Sequence, residues 1–256
     1  MDATTIAIIA FLIFAVALLY STVGHAGASG YIAAMALFST APAAMKPTAL
    51  TLNILVAAIG TIRFCGAGYF SWRTFWPFAI ASIPASFIGG WLTLPVSVYK
   101  AIVGAVLIYS AIRLFFSAKR ADDQKVKPAP IWAALVLGAA IGLLSGLTGV
   151  GGGIFLSPLL LLMHWEKTRE TSGVAVTFIL VNSIAGMLGH ISSVAAVPRA
   201  VIFWAPAALV GGFIGTELGT RRLPIAGIRK WLSVVLVVAG LKLLSEVAAI
   251  LISLHR

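Results

Sequence analysis

Residues 131 to 163 carry no charged side chain, and neither do residues 5 to 39. Runs of that length belong in a bilayer rather than in the core of a water-soluble domain. Further apolar segments recur at roughly 48 to 66, 74 to 94, 98 to 116, 171 to 192, 199 to 219 and 228 to 254. With 61% hydrophobic residues, 10% charged residues and a mean hydropathy of +1.06, the chain reads as an all-α polytopic membrane protein. A β-barrel would show short strands of alternating polarity, and the sequence has none of that pattern. Met1 to Thr4 lack the basic region of a secretory signal, so the start is read as mature sequence.

The connection from Ser117 to Pro128 is the one clearly soluble stretch, and it divides the chain nearly in half. The halves overlay with an offset drifting from about 121 to about 130 residues, as an internal repeat allows. Thr51 and Gly60 fall on Thr177 and Gly186, and Phe75-Trp76 falls on Phe203-Trp204. Ser82, Ser86 and Gly90 form a small-residue row at the places of Gly211, Gly215 and Gly219, a spacing that lets helix backbones approach closely in lipid. These rows either form a homodimer contact or pack the protomer. The expected organisation is a first transmembrane repeat over 1–117, a basic cytoplasmic linker over 118–130 and a second repeat over 131–256.

The first segment of each half is too long for one crossing. As continuous helices they would reach roughly 50 Å at about 1.5 Å per residue, against a hydrocarbon core of about 30 Å. Each contains a glycine cluster, Gly24-His25-Ala26-Gly27-Ala28-Ser29-Gly30 in the first and Gly146-Leu147-Thr148-Gly149-Val150-Gly151-Gly152-Gly153 in the second. Since each Gly costs a helix about 1 kcal/mol relative to Ala, a break is favoured over a steep tilt.

Charge gives a separate test. If each long segment returns as a hairpin, one side of the membrane collects 13 of the 18 Lys and Arg residues, among them Arg63, Arg73, Lys167, Arg169 and Arg221. The other side receives Lys46, Lys100, Arg199, Lys242 and Arg256. The richer side is then cytoplasmic. The net charge of +11 is therefore assigned to topology and not to nucleic acid. Hairpins also make the crossings per half odd, so the fold expected is two inverted repeats. Each begins with a broken hairpin helix followed by three transmembrane helices, with both termini outside the cytoplasm.

A broken helix exposes backbone groups that lipid cannot satisfy, so it survives only inside protein or beside a watery cavity. Half-helices beginning near Gly27 and Gly151 to Gly153 would aim N–H groups and positive dipole ends at a small anion and bind it reversibly without fixed charge. The candidate substrate-binding residues are Gly24, His25, Gly27 and Ser29 in the first break, and Ser145, Thr148, Gly149, Gly151, Gly152 and Gly153 in the second. Thr51, Asn53, Thr177 and Asn182 on the following helices complete the set. Interhelical hydrogen bonding is the alternative role of the Ser, Thr and Asn residues. His25 is either structural or a substrate contact or proton relay. His190, Arg63 and Glu217 lie near segment ends and are read as interfacial or snorkelling groups.

Catalytic, metal and cofactor patterns are not found. Cys65 is the single cysteine, which excludes an internal disulfide and a cysteine metal cluster. GVGGGI is neither GxGxxG nor a P-loop. Gly27-Ala28-Ser29-Gly30 has the GxSG form of rhomboid intramembrane proteases, with Ser29 as nucleophile and His190 as base, but a protease would not need the second break.

At the glycine block 146–153, and in its two halves around a basic linker, the chain resembles the TauE/SafE family of sulfite exporter-like membrane proteins over nearly its whole length. In the first half the counterpart block departs from the family's glycine-rich pattern at His25 and Ser29. The resemblance implies transmembrane movement of sulfite, organosulfonates or related small sulfur oxyanions by a secondary carrier in a bacterial-type inner membrane, with an anion channel as the alternative. In the absence of an ATP-binding motif, coupling to the membrane potential or to protons is expected. An interior-negative potential favours anion export by about 2.3 kcal/mol per charge per 100 mV.

Overall fold

The computed structural model describes residues 2–116, 126–194, 199, 201–221, 237–238 and 240–248, and among them the regular structure is helical, with no strand. In the first half the helices are α1 (Ala3–Ser21), α2 (Ala28–Leu37), α3 (Pro42–Gly66), α4 (Trp72–Trp91) and α5 (Val96–Phe116). In the second they are α6 (Ile131–Thr148), α7 (Gly153–Leu162), α8 (Thr168–Val194) and α9 (Val201–Thr220). Residues 240–248 are also helical and lie in the predicted segment 228–254, most of whose remainder falls outside the described residues. So does most of the soluble linker, of which residues 126–130 are described and non-helical.

Local chemistry sets the helix starts. Asp2 caps α1 by accepting from Thr5 N, Ser71 caps α4 by accepting from Thr74 N, and Pro42 occupies the first turn of α3, where a missing N–H costs nothing. The two overlong segments are each divided at their glycines, between Ser21 and Ala28 and between Thr148 and Gly153. Five described helices are long and apolar enough to cross a membrane, namely α1, α3, α6, α8 and α9. Their outward residues, such as Phe11, Ile62, Trp132 and Ile202, are exposed, while Trp204, Tyr31, Phe78 and Phe178 are fully buried. Water would not tolerate that outer surface; lipid does.

Residue pairings fix the direction of each helix. α9 runs alongside α1 in the same direction, with Gly211 on Phe14, Gly215 on Leu18 and Gly219 on Thr22. α3 shares this direction, since Val56, Gly60 and Arg63 meet Gly212, Thr216 and Glu217 of α9 in order. α4 and α6 run together as Phe78, Ser82 and Ser86 meet Gly138, Gly142 and Gly146. α8 accompanies α4, with the Ser86 hydroxyl donating to Asn182 O (2.7 Å) and Gly90 against Gly186. The two groups oppose each other. Along the α3–α8 contact Leu50 meets Gly186, Asn53 meets Ser183 and Cys65 meets Thr177, an antiparallel order. α5 and residues 240–248 are antiparallel too, Lys100 pairing with Glu246 at 2.6 Å and Ile108 touching Gly240.

Because α1 and α3 point the same way, the chain between them must turn back, and α2 makes that return. α7 does the same between α6 and α8. The small-residue rows of α4 and α9 are occupied within one chain, by α6 and α8 and by α1 respectively. Their glycines bring backbones together directly: a Cβ on Gly90 would collide with Gly186 O, and one on Gly215 with Leu18 O.

Candidate functional site

The first break begins where α1 stops at Ser21. Thr22 bonds back to Leu19 O (2.7 Å), Gly24 takes φ +74° and packs on Ser172 of α8, and Gly27 takes φ +107° as the residue before α2. The second break is tighter, with Gly149, Gly151 and Gly152 at φ +83°, +84° and +79°. Left-handed backbone at these positions is what glycine permits and other L-residues resist. Neither α2, preceded by Gly27, nor α7, preceded by Gly152, has a side-chain cap. Two helix N-termini therefore enter the protein with first-turn amides not covered by a capping side chain.

The breaks touch each other through His25. Its Nε2 lies 3.2 Å from Gly153 O, the first residue of α7, and 3.2 Å from Ser157 Oγ one turn later. Its Nδ1 lies 3.2 Å from Val23 O. Around it, the Tyr20 ring makes an edge contact with the imidazole, the Tyr20 hydroxyl pairs with Ser29 Oγ at 2.9 Å, and the Tyr31 hydroxyl donates to Ala26 O. Tyr20, Ser29, Tyr31 and Ser157 are all buried. Sequence reading found His25 and Ser29 but not Tyr20, Tyr31 or Ser157. For the two tyrosines the available signal was their position beside the glycine cluster, Tyr20 one turn before Gly24 and Tyr31 directly after Gly30.

The second break lies against the middle of α3 and α8. Asn53 Nδ2 donates to Val150 O (3.3 Å) and to Ser183 Oγ (3.4 Å), and a Cβ on Gly151 would come within 2.6 Å of that nitrogen. Thr148 bonds back to Leu144 O and receives Val150 N, while Tyr99 of α5 donates to Thr148 O. Ser145 Oγ, Asn53 Oδ1 and Asn182 Oδ1 are buried without a hydrogen-bond partner among the described residues. Ser183 and Tyr99 were further residues that the sequence did not single out.

Other candidates stand apart. Thr51 and Thr177 donate to Pro47 O and Gly173 O of their own helices, and Thr177 also meets Cys65. Asn182 donates to Phe178 O, and its backbone receives Ser86. The residues set aside as interfacial are more engaged than expected. Arg63 is ion-paired with Glu217 and lies over the Phe213 ring, Glu217 also pairs with Arg221, and His190 is buried inside α8. The GxSG serine has Tyr20 as its hydroxyl partner, and the nearby imidazole is His25.

At the opposite end two lysines, Lys46 and Lys242, bind helix ends. Lys46 is buried and donates to Gly89 O (3.1 Å), Gly90 O (2.7 Å) and Leu92 O (3.2 Å), closing the C-terminus of α4. Lys242 does likewise for α2, at 2.9 Å from Ala36 O, Leu37 O and Ser39 Oγ. Cations at C-terminal carbonyls satisfy orphan acceptors and complement the helix dipole. The Gly149 backbone packs on that of Lys46, so this cap also borders the second break.

A polytopic helical bundle with two glycine breaks has a counterpart among known families. The model of the sulfite exporter TauE/SafE family matches residues 9–243. The chain belongs to the TauE/SafE family. It is 46% identical over 239 residues, 92% of this chain and 97% of the relative, to a probable membrane transporter protein of Sinorhizobium fredii. Weaker similarity, 26% in each case, links it to probable membrane transporter proteins of Methanocaldococcus jannaschii (57% of this chain, 55% of the relative) and Bacillus subtilis (62% and 67%). No solved structure matches. The match spans both breaks, and family and relatives together make this a multi-pass membrane transporter of the TauE/SafE type.

Proposed function

We propose that the chain is a secondary carrier of small sulfur oxyanions such as sulfite or organosulfonates, with its substrate site where the two broken hairpins meet. The observation that carries this reading is the junction itself. Two half-helices, α2 and α7, start at left-handed glycines without side-chain caps, and His25 of one break reaches Gly153 of the other. Amides at a helix N-terminus attract an anion by partial charge alone, which allows release as well as binding. The sulfur chemistry comes from the family, which is one of sulfite exporters, and not from the geometry.

The antiparallel order of α3 against α8, and of α5 against 240–248, supports an inverted repeat around a pseudo-two-fold axis in the membrane plane. Exchange of the halves turns the α1–α9 contact into the α6–α4 contact and the α3–α9 contact into the α8–α4 contact. In that arrangement the end bearing Arg63, Arg73, Lys167, Arg169 and Arg221 is cytoplasmic, and both termini lie outside. Alternating access follows if one hairpin opens while the other stays packed. Purified protein in liposomes should give saturable, counterflow-stimulated flux with sulfite, thiosulfate or methanesulfonate. Non-saturating flux would make it a channel, and no protein-dependent flux of any of the three would refute the reading.

A further inference from the structure

We infer that His25 is the proton-binding residue of the carrier and that each anion moves with one proton held on its Nε2; this rests on the anion site proposed above. Both ring nitrogens face carbonyl oxygens, Nδ1 toward Val23 O and Nε2 toward Gly153 O, each at 3.2 Å. A neutral imidazole has one N–H and satisfies one of these acceptors; the imidazolium donates to both. Ser157 supplies the other half of the device. When Nε2 is bare, the Ser157 hydroxyl at 3.2 Å donates to it, and when Nε2 is protonated the hydroxyl turns away or accepts. The site is thus built to hold either form. The proton enters Nε2 from water on one side and leaves to water on the other, with no other bond made or broken.

What couples the proton to the anion is the pair of helix N-termini. His25 lies three residues before α2, and its ring stands beside the first turn of α7, so an anion held by the first-turn amides of these helices brings negative charge close to the imidazole. That charge favours the imidazolium over the neutral ring. Binding of anion and proton are then mutually reinforcing, and by linkage each raises the affinity for the other by the same factor. Titratable and charged groups also lie on the elements packed against the first break. Tyr20 of α1 is in ring contact and Tyr31 of α2 bonds the adjacent Ala26 O. Arg169 and Glu170 lie in the first turn of α8, near the Ser172 that packs on Gly24, and Glu217 of α9, with Arg63 and Arg221, lies near the Gly219 that packs on Thr22.

Two measurements test this. In histidine-¹⁵N-labelled full-length protein in micelles, the signal lost in His25→Gln should pass from a neutral Nδ1–H tautomer to imidazolium as pH falls. Methanesulfonate should raise its midpoint, and so should Ser157→Ala, which removes the donor to the neutral form while leaving Gly153 O for the charged one. In liposomes, thiosulfate and methanesulfonate carry no titrating proton near neutrality, so any proton that moves with them is carried by the protein. A pH gradient of one unit should sustain up to about a tenfold accumulation of methanesulfonate, unchanged by an imposed potential, whereas thiosulfate should respond to the potential. The ratio of flux with and without the gradient should fall to one in His25→Gln whatever its absolute rate. A His25 signal that does not titrate, or saturable flux indifferent to the gradient, overturns the proton site alone. Absence of flux for both anions overturns the carrier reading itself.

Discussion

Replacing Gly151 by alanine tests whether the second break is packed as described, and three glycines allow its terms to be separated. Gly66 has helical backbone and open space around a new Cβ, so Gly66→Ala should be neutral or stabilising by at most about 1 kcal/mol. Gly68 also faces open space but has φ +78°, so Gly68→Ala isolates the left-handed backbone cost of about 1–2 kcal/mol. At Gly151 the same backbone cost applies at φ +84°, and the Cβ would stand 2.6 Å from Asn53 Nδ2 and 2.8 Å from Ile179 Cγ2. Displacing those buried neighbours adds about 1–3 kcal/mol, for a total of about 2–5 kcal/mol. Thermal unfolding in one detergent, followed by tryptophan fluorescence, should order the variants Gly66→Ala, Gly68→Ala, Gly151→Ala from most to least stable. At about 2–4 °C per kcal/mol the steps are resolvable. If Gly151→Ala melts with Gly68→Ala, the break does not press on α3 and α8, and the site drawn around Asn53 is wrong.

The helix contacts predict a harsher outcome at Gly90 and Gly215. A Cβ at either meets a backbone carbonyl that cannot rotate aside, so Gly90→Val and Gly215→Val should abolish monodisperse protein in size-exclusion chromatography, whereas Gly66→Ala should not. Lys46→Met leaves the Gly89, Gly90 and Leu92 carbonyls without their donor, and a stability loss of about 1–3 kcal/mol is expected in the same melting assay; an unchanged melt would mean those carbonyls are hydrated. For topology, in a Cys65→Ser background a membrane-impermeant maleimide applied to intact cells should label Ser39→Cys and not Arg73→Cys. The reverse pattern would invert the proposed orientation.

Much of the architecture was legible because its causes are local along the chain. Uncharged runs set the spans, and two runs too long for one crossing, each holding a cluster of glycines, located the breaks to within a few residues of Ser21–Ala28 and Thr148–Gly153. The small-residue rows at Ser82, Ser86 and Gly90 and at Gly211, Gly215 and Gly219 marked faces of close approach, since a missing side chain is visible in the sequence itself.

The sequence did not say what those faces meet. That α4 lies on α6 and α9 on α1, across the halves, was decided only when the helices packed, because a small-residue face is equally complementary to any other helix. The site divides in the same way. The left-handed turns at Gly27, Gly151 and Gly152 were readable from the backbone freedom that glycine alone provides, while the sequence does not show that the hydroxyls of Thr51 and Thr177 donate to carbonyls of their own helices. Tyr20, Ser157 and Ser183 look like ordinary membrane-helix residues until folding sets them beside a break. By itself, then, the sequence determined that this chain spans a membrane and where its helices fail. Tertiary structure alone decided that one failure meets the other through His25, because that contact joins residues 128 positions apart, a distance at which no periodicity or propensity carries information.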